Sequence, residues 1–547
     1  MTYSNSSEYK NPIIPGFNPD PSICRVGNDY YLVTSTFQFF PAIPIYHSQD
    51  LVNWTQIGNV LDRPEQIPDL DKTLINGGIW APTIRYHKGT YYVITTNVFV
   101  DKPHLDFTRW RNFFVTAKDP AGPWSNPIFF DYPGYDTSFF FDDEKDGQVY
   151  VQGSFYHRIR KEISQSKIDI ETGETSPPHR IWSGTGEKAP EAPHILYRDG
   201  WYYLIIAEGG TEFGHRVTMA RSKSVDSDEH EWEPCPANPI ITHFDLPNEL
   251  VQCVGHADLF QDPKGQWYMV LLASRAYDGE HFPMGRETFL VPVNWDGDWP
   301  LVQRPIKAVP ADSFSKKTDL RPFGTVIDED DIVSSSSISK EKKKQWGMDW
   351  LWLRFPDLSK YLLINQNQCI LTGSGGILLN DPKISPTLVG LRQGHVKCRV
   401  TVELSNLHLL QVENTSGMTA TTTAGLTAYL DCMHYHAIGV ERTTAIDQEQ
   451  QELRLYHISS TNENSTHNDN HVTLCLPTSP LATLILSIET NEREFYFEYK
   501  RQQEERWHRL ATVSSKVLST GFTGVIFGLF VTGNGSIQYN NFQYQVL

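Results

Sequence analysis

Three acids of this chain sit in short, conformationally restricted segments: Asp20 in GFNPDPS, Asp136 in GYDTS and Glu191 in APEAPH. Prolines flank Asp20 at 19 and 21 and bracket Glu191 at 190 and 193, which restrains the backbone and so the direction of each carboxylate. Two carboxylates beside a sugar-sized pocket are the minimal kit for cleaving a glycosidic bond. One must be protonated to donate to the leaving oxygen, the other ionised to activate water or attack carbon. A third acid raises its neighbour's pKa, because like charge favours the protonated form, and Asp136 suits that role toward Glu191. Taken singly, each acid reads as an ordinary turn or strand-end carboxylate; what argues for chemistry is their shared phase with a repeat.

Five segments share one pattern: GNDYYLVTST, KGTYYVITTN, DGQVYVQGSF, DGWYYLIIAEGG and KGQWYMVLLAS. Each is a glycine turn followed by an aromatic, β-branched run, the mark of a hairpin entering a buried strand. The turn glycines, at 27, 89, 147, 200 and 265, lie 62, 58, 53 and 65 residues apart, about one four-stranded antiparallel sheet plus its connections. Repetition on this scale predicts a five-bladed β-propeller; the alternative is a set of unrelated hairpins in a sandwich. Just ahead of each turn lies a segment carrying a polar or proline-flanked residue: NPDPSICRV, WAPTIRYH, YDTSFFFDD, PEAPHILYR and VGHADLFQD. As innermost strands these would start at one mouth of the central channel and bring Asp20, Asp136, Glu191 and His256 together.

The pattern ends near 305. Residues 311–345 are polar, serine-rich and charge-alternating and read as a linker or long surface loop. Residues 346–547 carry alternating strands without the repeat, among them YLLINQ, VKCRVTVEL, ELRLYHIS, HVTLCLP, ATLILSIE, REFYFEYK and TGVIFGLFVTG. These predict a β-sandwich, with TNENSTHNDN (461–470) as an exposed loop. The expected organisation is therefore an all-β chain: a propeller over 1–310, a linker over 311–345 and a sandwich over 346–547.

Composition narrows the function. The 547 residues carry 47 Lys+Arg against 65 Asp+Glu, a net charge of −18, which repels phosphate backbones and argues against a nucleic-acid partner. No apolar run approaches the ~18–20 residues that span a bilayer, so no membrane partner is expected. The seven cysteines show no paired spacing, against a disulfide framework or zinc site. The start, MTYSNSSEYKNP, lacks the charge and apolar run of a secretory signal. Five Asn-x-Ser/Thr triplets, at 5, 53, 414, 464 and 534, would suit a secreted protein but also arise by chance. The expectation is a cytoplasmic protein, or a secreted one if a signal peptide has been trimmed; a homo-oligomer stays open.

At this point the residues resemble a family. NPIIPGFNPDPSICRVGNDYYLVTSTFQFFPAIPIYHSQDLVNW, GGIWAPTIRY, AEGG, GHADLF and PMGRETFLVPV are similar to glycoside hydrolase family 43, of the β-xylosidase and α-L-arabinofuranosidase type with a C-terminal, concanavalin-like sandwich. The resemblance implies a five-bladed propeller and inversion at the anomeric carbon, with Asp20 as general base, Asp136 as pKa modulator and Glu191 as general acid. It implies that Arg286 in GRET binds substrate hydroxyls and sits near Asp136, that Phe37 and Trp80 wall the sugar subsite, and that Phe522 in GFTG narrows the pocket. His256 resembles a channel-facing histidine that in some relatives binds calcium or a water cluster; a satisfied core histidine is the competing reading. No cofactor is required, with channel calcium as the option. The implied activity is β-1,4-xylosidase on xylo-oligosaccharides, ahead of α-L-arabinofuranosidase on arabinoxylan, with dual activity open. A retaining fructosidase and a silent carbohydrate-binding propeller are the remaining readings. The sequence departs from the family's habit at Ala192 (usually Gly), Thr83 (often Asp), Gln38 (often Glu) and Ala42 (often Gly).

Overall fold

The structure is a computed structural model that describes residues 10–145, 147–157, 160–310, 316–327, 343–375, 379–410, 412–415, 418–442, 450–460, 471–477 and 483–547. Among them there is no α-helix, and no helix long and apolar enough to cross a membrane. Two compact units emerge: Met1–Val309 with Gly521–Thr523, and Pro310–Thr520 with Gly524–Leu547.

The first unit contains five antiparallel sheets, each entered by an innermost strand: Ser22–Val26, Gly78–His87, Gly134–Asp142, Glu191–Arg198 and Val251–Gln261. The five aromatic runs are the second strands, Asp29–Val33, Thr90–Val98, Gln148–His157, Trp201–Glu208 and Trp267–Arg275, each paired with the innermost strand of its own sheet. These runs are apolar because each blade is covered on both faces by its neighbours. Residues Tyr202 to Glu208 are buried without interruption. The apolar clusters lie between blades: Ile94 and Phe114 of the second pack with Phe139, Val149 and Val151 of the third. The ring closes the same way, Ile23, Leu32 and Tyr46 of the first blade packing with Phe260, Val270 and Leu290 of the fifth. A residue ahead of the first blade clasps the last: Asn11 Nδ2 donates to Leu290 O at 2.8 Å, and Leu290 N returns a bond to Asn11 Oδ1 at 2.9 Å.

The innermost strands share one irregularity. In each of the four later blades the register with the second strand slips: between Trp80 and Thr83, Tyr135 and Ser138, Glu191 and His194, and, in the fifth blade, both between Gln252 and Gly255 and between Gly255 and Asp258. In the first blade the Ser22–Val33 pairing likewise gives way to a bond from Ser35 N to Pro19 O. A non-glycine residue with positive φ stands at the slip every time: Asp20 (55°), Ala81 (38°), Asp136 (53°), Ala192 (51°) and His256 (50°). Such bulges bend the strand and re-aim a side chain. Two of the three predicted acids therefore occupy equivalent bulge positions, and Glu191 stands one residue earlier, equivalent to Trp80 and Tyr135.

The second unit is a β-sandwich. One sheet runs in spatial order Tyr361–Asn365, Gln368–Thr372, Ser536–Val546, Cys398–Ser405, Leu484–Thr490, Glu494–Arg501, His508–Ser514. The other runs Leu351–Leu353, Thr387–Arg392, Ile526–Thr532, Thr423–Asp431, His434–Arg442, Gln450–Ser459, His471–Pro477. Val400, Val402, Leu486 and Phe497 of the first sheet meet Leu426, Ala428, Ile438 and Leu455 of the second in a common core.

The segment read as a linker over 311–345 needs correction where it is described. Lys317–Leu320 is a strand on Gln543–Val546, and Gly324–Ile327 pairs with Lys343–Trp346. The run KTDL looked like a loop because three of its four residues are exposed and it has no buried face to give an alternating pattern. The remainder of 311–345, and the loop read at 461–470, lie outside the described residues.

Candidate active site

A cavity of about 260 Å3 opens in the first unit, and the eight residues singled out in the sequence all line it: Asp20, Phe37, Trp80, Asp136, Glu191, His256, Arg286 and Phe522. The bulges explain how strands of five blades deliver side chains to one place.

Asp20 is the most heavily partnered. Its Oδ1 accepts from Arg286 Nη1 at 2.9 Å and lies 3.5 Å from His256 Nδ1, while Oδ2 accepts from Ser35 Oγ at 2.6 Å. Ser35 Oγ in turn accepts from Ala81 N at 2.6 Å, fixing the first blade's acid against the second blade's backbone. Burial by itself pushes the Asp20 carboxyl up, but Arg286, His256 and the Ser35 hydroxyl together outweigh it and hold its pKa below the ordinary aspartate value. Asp20 is thus a buried, ionised group, as a base requires.

Arg286, expected near Asp136, lines the same cavity as that acid and holds the carboxylate of Asp20 at 2.9 Å. Its Nε and Nη2 both donate to Phe522 O, at 3.0 and 2.9 Å, and Nη1 also reaches Thr211 Oγ1 at 3.2 Å. The arginine therefore serves as a bracket as well as a wall. Phe522, grouped with the first unit, stacks on Phe37 with centroids 5.9 Å apart and meets Trp80 edge-on at 5.7 Å. The rings offer apolar faces suited to the C–H surface of a sugar.

Glu191 accepts from Tyr135 Oη at 3.0 Å. Tyr135, next to the bulge acid Asp136, is buried against Trp110, with ring centroids 5.1 Å apart, and Trp80, at 5.7 Å. Desolvation first, then the charges of Glu191 and Asp136, push the phenol well above its ordinary value, so it stays a donor. Sequence reading passed over Tyr135 because a tyrosine in an apolar strand reads as core; its equivalence to Glu191 in the repeat is the signal that would have found it. His215 was missed for the same reason. It lines the cavity with Nδ1 on Cys253 O at 3.1 Å, while its Nε2, packed against Gly255, is buried with no hydrogen-bond partner. Burial pulls its pKa down to about 3, keeping the ring neutral.

Two residues past the bulges of three innermost strands, at Ser22, His194 and Asp258, and four past that of the second blade, at Arg85, lies a second polar layer. Arg85 Nη1 donates to Asp258 Oδ2 at 2.8 Å and to Ser22 Oγ at 3.2 Å, and Nη2 donates to His194 Nδ1 at 2.9 Å. Ser22 Oγ donates to the same Asp258 oxygen at 2.7 Å. Burial pulls His194 down to about 3. This donor set bears on the calcium option. Calcium takes about six to eight oxygens, whereas the Asp258 carboxylate is already claimed by a fixed guanidinium, and His256 faces Asp20 and the cation Arg286. The residues do not fit a divalent ion, and no group of three or more His, Cys, Asp or Glu among the described residues is placed to hold one.

Comparison with known proteins agrees with this geometry. Residues 9–300 match the model for glycosyl hydrolases family 43, and residues 342–545 that for the beta xylosidase C-terminal concanavalin A-like domain. The chain is 35% identical to the non-reducing end alpha-L-arabinofuranosidase BoGH43B of Bacteroides ovatus over 97% of this chain and 93% of that one. It is 46% identical to a xylosidase/arabinosidase of Butyrivibrio fibrisolvens over 53% of this chain and 56% of that one. Among solved structures, the xylan beta-1,4-xylosidase of Bacillus halodurans C-125 superimposes with a TM-score of 0.80 at 28% identity, covering 98% of this chain and all of that one (100%).

Proposed function

We propose that this chain, which belongs to glycosyl hydrolase family 43, is an inverting exo-glycosidase that releases xylose from the non-reducing end of xylo-oligosaccharides. The observation that carries the reading is the placement of an ionised, clamped Asp20 and a Tyr135-held Glu191 on the wall of one small cavity. At about 260 Å3 the cavity falls below the ~300–1,000 Å3 typical of drug-sized ligands, which suits one sugar ring better than a chain.

In this reading Asp20 takes a proton from water, which attacks the anomeric carbon as the glycosidic bond breaks, and Glu191 gives its proton to the departing oxygen. Asp136, lining the same cavity, is the third acid of the site and orients the sugar. Arg286 keeps Asp20 ionised. The aromatic group Phe37, Trp80 and Phe522 packs on the ring.

The second reading is α-L-arabinofuranosidase action on arabinoxylan side chains, favoured by the similarity to BoGH43B across nearly the whole chain. Rates on 4-nitrophenyl β-D-xylopyranoside and 4-nitrophenyl α-L-arabinofuranoside, measured separately, decide between them. Proton NMR of the first-formed sugar decides the stereochemistry: the anomer opposite to the substrate's supports the assignment of Asp20 as base, and the same anomer rejects it.

A further inference from the structure

Arg109 presents an anomaly that the proposed reaction does not use. It lines the cavity yet is 7% exposed, and among the described residues no carboxylate stands within ion-pair distance. Its Nη1 donates to Val100 O at 2.9 Å and to Lys102 O. Its Nε is fully buried with no partner, and among the described residues Nη2 makes no hydrogen bond. An arginine has five N–H donors and no acceptor, so three donors here are unmatched. Buried cations are ordinarily paired, because an unpaired one carries an uncompensated desolvation cost. Burial accordingly pulls this guanidinium below its ordinary value, with the exposed Asp101 and Tyr135 opposing at longer range.

Its place in the cavity says what it faces. Glu191, as the acid, must stand beside the leaving oxygen. Tyr135 is bonded to Glu191, the Tyr135 ring stacks on Trp110, and the Arg109 guanidinium lies 4.9 Å from the centre of the Trp110 ring. Asp20 and Arg286 make up the cluster about the base. Arg109 therefore belongs to the side of the cavity that receives the leaving group. The short 3-10 turn Phe107–Arg109, capped by Asp106 accepting from Thr108 N at 2.9 Å, and the two carbonyl bonds hold it there before any ligand arrives.

We propose that Arg109 builds a leaving-group subsite for an acidic sugar: the planar guanidinium receives the carboxylate of a uronic acid substituent on the residue being left behind. Planar, multidentate pairing is what distinguishes arginine from lysine in carboxylate recognition. The inference rests on the proposed glycosidase reading only for which side is the leaving side.

The test compares two ligands that differ only in that group: a xylobiose, and the same disaccharide with glucuronic acid on the reducing-end xylose. Binding to the Glu191→Gln variant is measured by calorimetry, which needs no turnover. The acidic ligand is expected to bind about ten- to a hundred-fold more tightly, the range of a charge-assisted bond. Adding Arg109→Gln should remove that advantage, and Arg109→Lys should restore part of it; thermal melting reports whether each variant is folded. Equal binding of the two ligands, or an acidic preference that survives Arg109→Gln in folded protein, overturns the subsite. Turnover of the neutral disaccharide by the unmodified enzyme is the separate check on the glycosidase reading, so either can fail without the other.

Discussion

The innermost strands of the propeller carry two polar layers a few residues apart, and they are built to opposite ends. At the bulge and one residue before it, Asp20, Asp136 and Glu191 line an open cavity. Two residues on, Asp258, Ser22 and His194 close around Arg85, and the aspartate's pKa is held down by that cation and its hydrogen bonds against the opposing effect of burial. The same strand architecture thus supports chemistry where its polar groups line a cavity and rigidity where they close on one another around Arg85, although His194 Nε2 in the second layer is buried without a hydrogen-bond partner.

The largest effect should come from breaking the first layer. Asp20→Asn or Glu191→Gln is expected to lower kcat by about a hundred- to ten-thousand-fold, with the melting temperature little changed for Glu191→Gln and lowered for Asp20→Asn, which breaks the buried pair with Arg286. For Glu191→Gln the loss should be smallest on substrates whose leaving group needs no proton, seen by comparing aryl glycosides of different phenol acidity. Breaking the second layer should do the reverse. Arg85→Met strands the buried Asp258 charge and is expected to cost about 3–5 kcal/mol of stability by denaturant unfolding, with less than a ten-fold change in kcat/KM for the folded protein. A large catalytic loss at unchanged stability would show the two layers to be one.

Arg286 sharpens the boundary between them. Because Asp20's pKa is depressed in the folded protein, it stays ionised as pH falls past the ordinary aspartate range, and the stability it contributes at neutral pH is lost only as pH drops through that lowered value. Arg286→Met removes the principal opposing charge, so the acidic limb of kcat/KM should move to higher pH; an unmoved limb would separate that limb from Asp20. The smallest effect is at Ala192, a non-glycine residue at φ 51°. Left-handed backbone costs an L-residue roughly 1–2 kcal/mol, partly offset by the freedom glycine adds to the unfolded chain. Ala192→Gly should therefore stabilise by about 0.5 kcal/mol, read as a shift in denaturant midpoint.

Blades were legible because a glycine turn and an aromatic run recur at a nearly constant interval, and the acids were legible because they keep phase with it. What escaped notice did so for physical reasons. The strand Thr423–Asp431 is buried along its whole length, so it lacks the period of two that marks a one-sided strand. Tyr135 and His215 look like packing residues until the bulge register and the bare nitrogen are seen. Arg85 sits in a strand whose neighbours in space come from blades 1, 4 and 5, and no local pattern reports such a meeting.

Phe522 carries one more implication. Its carbonyl holds Arg286 and its ring completes the aromatic wall, yet it follows the rest of that wall by more than two hundred positions, Arg286 being the nearest preceding member at a separation of 236. A ribosome making this protein finishes every blade long before the last piece of the cavity exists. A chain stopped before position 522 would carry the strands of all five blades while Arg286 lacked the carbonyl that takes its Nε and Nη2.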